Sequence, residues 1–299
     1  MRILLLGKNG QVGWELQRAL APLGELVALD RTGLNGLVGD LADLDGLRDT
    51  IRRVKPDVLV NAAAYTAVDR AEQEQSQAML INALAVQLMA DEMCRLNGWL
   101  LHYSTDYVFD GSGSRPWRES DTAAPLNAYG QSKRAGEEAI AASGCRHLIF
   151  RTSWVYGLHG NNFIKTILRL AREREQLSLI NDQIGAPTGA DLLADVTAHA
   201  LRSAASNPDL GGLYHLAAGG ETSWYHYGCY LVDQARNQGA TLAVKAIAPI
   251  ASQDYPVAAQ RPLNSRLDTH KLQERFGLCL PHWQHGVSRL LQQITGNNP

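Results

Sequence analysis

The sequence holds 299 residues, 45 % of them hydrophobic and 19 % charged, a composition that excludes a disordered, collagenous or coiled-coil chain. With 28 Lys+Arg against 30 Asp+Glu, the net charge of −2 excludes general electrostatic capture of nucleic acid or of an anionic membrane, so any phosphate must be met locally. Cys94, Cys145, Cys229 and Cys279 are far apart, with no C-x-x-C pair and no histidine at ligand spacing, which predicts free thiols in a reducing cytoplasm. The apolar run at 3–6 is shorter than a signal-peptide core, and no stretch of ~18 apolar residues suggests a membrane span. A cytoplasmic protein is expected.

The runs 2–6, 25–30, 57–63, 99–108 and 146–151 are nearly continuously apolar, which predicts strands buried on both faces. Between them, 11–21, 44–54, 76–97 and 126–142 carry apolar residues at helical spacing. Strand and helix in alternation predict an α/β fold, a doubly wound parallel sheet of Rossmann type. Beyond about residue 155 the rhythm loosens into helices at 162–174, 190–205 and 223–237 with short strands at 177–180 and 213–217. The segment 111–125, GSGSRPWRESDTAAP, is rich in Gly, Ser and Pro and reads as a mobile flap or a plain surface loop.

Gly7, Gly10 and Gly13 stand at G-x-x-G-x-x-G spacing straight after the first strand and at the mouth of the first helix. Glycines there permit a tight turn and close approach of backbone to a pyrophosphate, and the helix N-terminus supplies N–H donors. Gln11 and Val12, within the same turn, belong to this candidate dinucleotide site. Asp30, at the end of the second strand, is placed to bind a ribose 2′-hydroxyl and favours NAD(H), whereas Arg31 beside it can pair with the 2′-phosphate of NADP(H). Tolerance of both cofactors is expected. Asp40 and Leu41, near a further possible strand end, are candidates to touch the adenine. Asn61-Ala62-Ala63-Ala64 closes a strand with small side chains that let a ligand lie against the backbone, with Ala63, Ala64 and Tyr65 on the cofactor side. Residues 1–155 are therefore read as a dinucleotide-binding domain, and 156–299 mainly as a smaller substrate-binding lobe over the carboxyl edge of the sheet. That boundary is approximate, and the chain is free to cross back.

Tyr129 and Lys133 lie one helical turn apart on one face. An ammonium near a phenol would lower its pKa towards the range of a general acid/base. Ser104-Thr105-Asp106, late in the strand 99–108, places a hydroxyl near the same pocket. The set predicts a hydroxyl that orients a carbonyl, a tyrosine that protonates its oxygen and a lysine that tunes the tyrosine and holds the cofactor ribose.

The glycine turn, N-A-A-A at 61–64, H-Y-S-T-D-Y-V-F-D-G at 102–111, Y-G-Q-S-K at 129–133 and F-R-T-S-W-V-Y-G at 150–157 together resemble the extended short-chain dehydrogenase/reductase family. The likeness covers essentially the whole chain, including N-D-Q-I-G-A-P-T at 181–188 and R-P-L-N-S-R-L at 261–267. It implies reduction of the C4 keto group of dTDP-4-dehydro-L-rhamnose by NADPH or NADH, for cell-surface polysaccharide. It also implies catalytic roles for Tyr129, Lys133 and Thr105 and substrate contacts from Thr105, Asp106, Trp154 and Arg261. A homodimer is implied as well. Its magnesium-assisted contact would draw on Glu15 and Asp191, but the C-terminal helix offers Gln292 and Gln293 instead of a glutamate, so Mg²⁺ is doubtful and no protein-bound metal is expected. Two alternatives are another nucleotide-sugar reductase or epimerase of the same fold and a non-catalytic nucleotide-binding regulatory subunit. A 4,6-dehydratase is disfavoured, because Asp106-Tyr107 follows Thr105 where dehydratases place an Asp-Glu pair.

Overall fold

The computed structural model describes residues 1–295. Strands β1 (Arg2–Leu6), β2 (Glu25–Leu29), β3 (Val58–Asn61), β4 (Trp99–Thr105) and β5 (Arg146–Thr152) join Gly212–His215 in one six-stranded sheet. The order is Gly212–His215, β5, β4, β3, β1, β2, and every pairing is parallel. This is the doubly wound α/β sheet that the apolar runs predict.

The continuous apolar character of the strands follows from helices on both faces. Ile3, Leu5, Val60, Leu101 and Phe150 point to one side, where α1 (Gln11–Leu20) and the helix Ala190–Ser206 cover them. Leu4, Leu6, Leu59, Leu100 and Ile149 point to the other, against α2 (Leu44–Val54) and the helix Ala85–Arg95. Each fully buried leucine contributes ~1.5–3 kcal/mol relative to exposure. A third core sits apart from the sheet, where the helices Phe163–Glu173, Trp224–Asn237 and Trp283–Thr295 bring together Ile164, Leu168, Tyr227, Leu231, Trp283 and Val287. The parallel pair Gln176–Ile180 and Ala246–Ile250 flanks it.

Three segments depart from the sequence reading. The short strand expected at 213–217 extends the large sheet by pairing with β5, after the helix Ala190–Ser206 has packed across α1. The helix expected over 76–97 is interrupted, running Gln75–Met79, then a π-helical turn Leu80–Leu84, then Ala85–Arg95. Asn82 in that turn is buried and bonds Tyr65 and Ser132. The third departure is the 111–125 segment, which is pinned. Trp117 stacks on Phe109 at 4.6 Å and donates from its indole to the Asn264 carbonyl at 3.1 Å. Asn264 in turn donates to the carbonyls of Ser112 and Arg115, and Glu119 accepts from the His215 amide. Composition alone does not reveal these long-range anchors.

Candidate active site

A cleft of about 840 Å³ opens at the carboxyl ends of the paired strands β1 and β3, where the strand order reverses, the switch point at which open parallel sheets bind ligands. Gly7 has φ 87°, a conformation that L side chains rarely adopt. A Cβ on Gly13 would lie 2.0 Å from the Gly7 carbonyl oxygen, so the turn requires both glycines. Gly10 caps α1 with no side-chain hydrogen bond, leaving the first amides of the helix to a ligand. Gly7, Gly10, Gln11, Val12, Asp30, Arg31, Asp40, Leu41, Ala63, Ala64, Tyr65, Tyr129 and Lys133 all line this cleft. Gly13 does not line it but supports the turn from behind. The backbone cradle and the carboxylate at its far end fit a dinucleotide.

The Asp30 carboxylate is preorganised. It accepts from the Thr32 hydroxyl at 2.7 Å, the Thr32 amide at 3.0 Å and the Asn9 side chain at 2.8 Å, with Lys8 at 3.6 Å. These bonds, the Thr32 hydroxyl first, hold it below the usual carboxylate range. Lys8, Asn9 and Thr32 escaped the sequence reading, which had no pairing partner from which to infer them. Asp40 and Leu41 follow no strand, and Asp40 instead turns its carboxylate back onto the Ala42 amide at 3.0 Å.

At the other end of the cleft the helix Ala128–Ser143 presents Tyr129 and Lys133. Asn127 caps it, its side chain accepting from the Gly130 amide at 2.8 Å. Asn82 fixes it laterally through Ser132 at 2.9 Å. Gly136 lets the helix approach closely, since a Cβ there would lie 2.2 Å from the Asn82 carbonyl oxygen.

Enclosure by protein and the neighbouring Asp106 carboxyl push the Tyr129 phenol up to about 12, while its bond with the Thr105 hydroxyl pulls the other way. Lys133 makes its own hydrogen bonds elsewhere. Its amine donates to the Tyr103 carbonyl at 2.6 Å and meets His102 Nε2 at 3.0 Å, and burial lowers its own pKa to about 8. The phenol therefore stays protonated at neutral pH. His102 lies buried beneath the lysine, and a lone histidine within an apolar strand carries no sequence signal of that contact.

Thr105 donates to Asp106 at 3.1 Å and accepts from the Tyr107 amide at 3.1 Å. Asp106 is buried, and burial lifts its carboxyl to about 6, opposed by bonds from Ser265 and Thr105. Its Oδ2 and the Ser104 hydroxyl have no protein partner.

Tyr107 meets Tyr129 edge to face at 5.7 Å and lines a second groove of about 1050 Å³. Arg261 lines this groove too, paired with Asp69 at 2.7 Å. Trp154 is stacked on Trp224 at 3.7 Å, and Trp224 is the indole that lines the groove. Trp154 also has φ 50°, a strained geometry for a bulky residue. Away from both grooves, Glu15 lies 3.5 Å from Arg18 and Asp191 3.6 Å from Arg289. Among the described residues no group of three His, Cys, Asp or Glu is placed to hold a metal ion, and Glu15 and Asp191 line one small pocket together with Gln293. Gln292 and Gln293 are exposed near this region.

The glycine turn, the switch-point cleft and the Tyr-Lys helix stand on a doubly wound, Rossmann-like α/β fold. The family profile described as "RmlD substrate binding domain" matches residues 1–295. A dTDP-4-dehydrorhamnose reductase of Shigella flexneri is 54 % identical over 294 residues, covering 98 % of each chain. The crystal structure of a dTDP-4-dehydrorhamnose reductase of Bacillus anthracis in complex with NADP superposes with TM-score 0.88 at 32 % identity, covering 98 % of this chain and 99 % of that one. One from Clostridium acetobutylicum gives TM-score 0.89 at 30 % identity, with coverage of 98 % and 99 %. The chain belongs to the dTDP-4-dehydrorhamnose reductase family.

Proposed function

We propose that this protein reduces the C4 keto group of dTDP-4-dehydro-L-rhamnose to dTDP-L-rhamnose, with NADPH or NADH as reductant. The observation that carries the reading is that Tyr129 and Lys133 line the dinucleotide cleft, with Tyr129 bonded to the buried Thr105 hydroxyl and set edge to face against Tyr107 of the Arg261-lined groove. When bound, the nicotinamide supplies the hydride. The chain's own residues do the rest. Gly7, Gly10 and the free N-terminal amides of α1 bind diphosphate. Asp30 holds a ribose hydroxyl, and Arg31, exposed on the cleft wall, is the group available to a 2′-phosphate.

The Thr105 hydroxyl positions the ketone oxygen beside the Tyr129 hydroxyl. Tyr129, kept protonated by its enclosure and by Asp106, gives its proton to that oxygen as the carbinol forms. Asp106, with an unpartnered oxygen, accepts from a sugar hydroxyl. Trp224 offers an apolar face to the deoxysugar, with Trp154 stacked behind it, and Arg261 meets the diphosphate. The residues beyond 155 that build the third core form the substrate lobe.

Assembly as a homodimer in the cytoplasm completes the proposal. No helix among the described residues is long and apolar enough to cross a membrane. The experiment is incubation of the protein with NADPH and dTDP-4-dehydro-L-rhamnose. Stoichiometric loss of nicotinamide absorbance with formation of dTDP-L-rhamnose supports the reading. Cofactor that is retained and recycled, with an epimerised or dehydrated sugar as product, refutes it.

A further inference from the structure

The short helix Val68–Ala71 follows directly on 62–67, a segment that lines the dinucleotide cleft. It carries Asp69, whose carboxylate reaches residues far along the chain. Oδ1 accepts from the Ala259 amide at 3.1 Å, and Oδ2 accepts from Arg261 Nη2 at 2.7 Å. Two further side chains lace the neighbouring segments together. Glu72, at the end of the short helix, accepts from the Ala128 amide at 2.9 Å. Asn127, which caps the helix that carries Tyr129, donates to the Gln260 carbonyl at 2.7 Å. The backbone around Arg261 is therefore tied both to the wall of the cofactor cleft and to the catalytic helix.

The manner of the Asp69 pairing decides what it does. A carboxylate that grips a guanidinium with both oxygens occupies its fork and competes with any other anion for it. Asp69 has one oxygen engaged by Ala259, so it holds Arg261 through a single nitrogen and leaves the rest of the fork to other partners. The Tyr107 hydroxyl also meets the guanidinium. Arg261 lines the groove of about 1050 Å³, whereas Asp69 does not. A loose arginine would lose side-chain freedom on meeting a phosphate, and one already held at one end has less to lose.

We infer that Asp69 is a positioning residue for the nucleotide sugar, holding the Arg261 guanidinium at the groove by a one-pronged ion pair that leaves its other N–H groups available to a diphosphate. The inference rests on the proposed contact of Arg261 with the diphosphate and adds the residue that aims it.

The test is dTDP binding by calorimetry, with NADPH binding beside it, on the wild type, Asp69→Asn, Arg261→Ala and the double variant. Asparagine keeps an oxygen for the Ala259 amide but sets an NH₂ group against the guanidinium, so it removes the Arg261 contact and spares the backbone one. Arg261→Ala should weaken dTDP about 10- to 100-fold, and Asp69→Asn about tenfold, the scale of a charge-assisted hydrogen bond. The double variant should bind no more weakly than Arg261→Ala, since Asp69 acts through the arginine. NADPH affinity should hold throughout. In turnover, KM for dTDP-4-dehydro-L-rhamnose should rise in Asp69→Asn while kcat holds, because a diphosphate contact acts alike on bound substrate and transition state. Unchanged or tighter dTDP binding by Asp69→Asn, or losses that add in the double variant, overturns the inference while the Arg261 contact stands. Undiminished binding by Arg261→Ala removes that contact and the inference together. Should Asp69→Asn fail to fold, Asp69→Ala carries the same comparison.

Discussion

Arg151 on β5 and Glu137 on the helix that carries Tyr129 form a buried, two-pronged ion pair, with hydrogen bonds of 2.8 and 2.6 Å. The pair fastens the helix to the sheet from below, and the Arg151 guanidinium also lies 5.0 Å from the Phe109 ring centroid. Because both charges are out of water, breaking the pair leaves one of them uncompensated. Glu137→Gln should lower stability by about 3–5 kcal/mol, read from urea unfolding. The exposed pair Arg134–Glu138 on the same helix should yield less than about 1 kcal/mol when broken. Equal losses from the two substitutions would contradict the structural role of the buried pair.

Asp106 predicts a pH dependence of stability. Its folded pKa, about 6, lies above its ordinary 3.8, so between those values the folded state binds more protons than the unfolded one. Stability therefore falls as pH rises from about 4 to about 6, and the full cost of the buried carboxylate, about 3 kcal/mol by linkage, is present above that window. Asp106→Asn should remove this slope. Urea midpoints for the two proteins measured across the window check it, and parallel pH profiles would show that Asp106 is not the titrating group.

The glycine turn makes a steric prediction. Gly13→Ala places a methyl 2.0 Å from the Gly7 carbonyl oxygen, a clash of backbone that no side-chain movement relieves. Cofactor binding measured by calorimetry should be lost. Retained affinity would mean that α1 can shift without dismantling the phosphate cradle.

Cofactor choice is assigned to the rim of the cleft. Arg31→Ala should weaken NADPH about 10- to 100-fold, the scale of a lost charge-assisted hydrogen bond, and leave NADH nearly unchanged. An equal effect on both cofactors would remove Arg31 from 2′-phosphate recognition and leave Lys8, 3.6 Å from Asp30, as the candidate.

Much of this fold is legible in the sequence because parallel strands covered on both faces are written as unbroken apolar runs, as at Leu4–Leu6 or Leu59–Val60. The glycine turn is legible for the same kind of reason, since its spacing meets a local steric demand. What escapes is non-local. The strand Gly212–His215 looks like an isolated fragment until β5 is beside it. The 111–125 segment has the composition of a flap, yet Trp117 and Asn264 bind it to residues far along the chain. Tyr129 and Lys133 are recognisable as a pair, but the pKa of the phenol depends on Asp106 and on enclosure, and Lys133 is occupied by Tyr103 and His102.

The most direct measurement of the central claim is turnover by Tyr129→Phe, with NADPH affinity measured alongside on the same preparation. Removal of the phenolic hydroxyl should cost ~10²-fold or more in kcat, the usual scale of positioned acid catalysis, while cofactor affinity persists because the glycine turn and Asp30 are untouched. Undiminished turnover in that variant would contradict the assignment of Tyr129 as the proton donor.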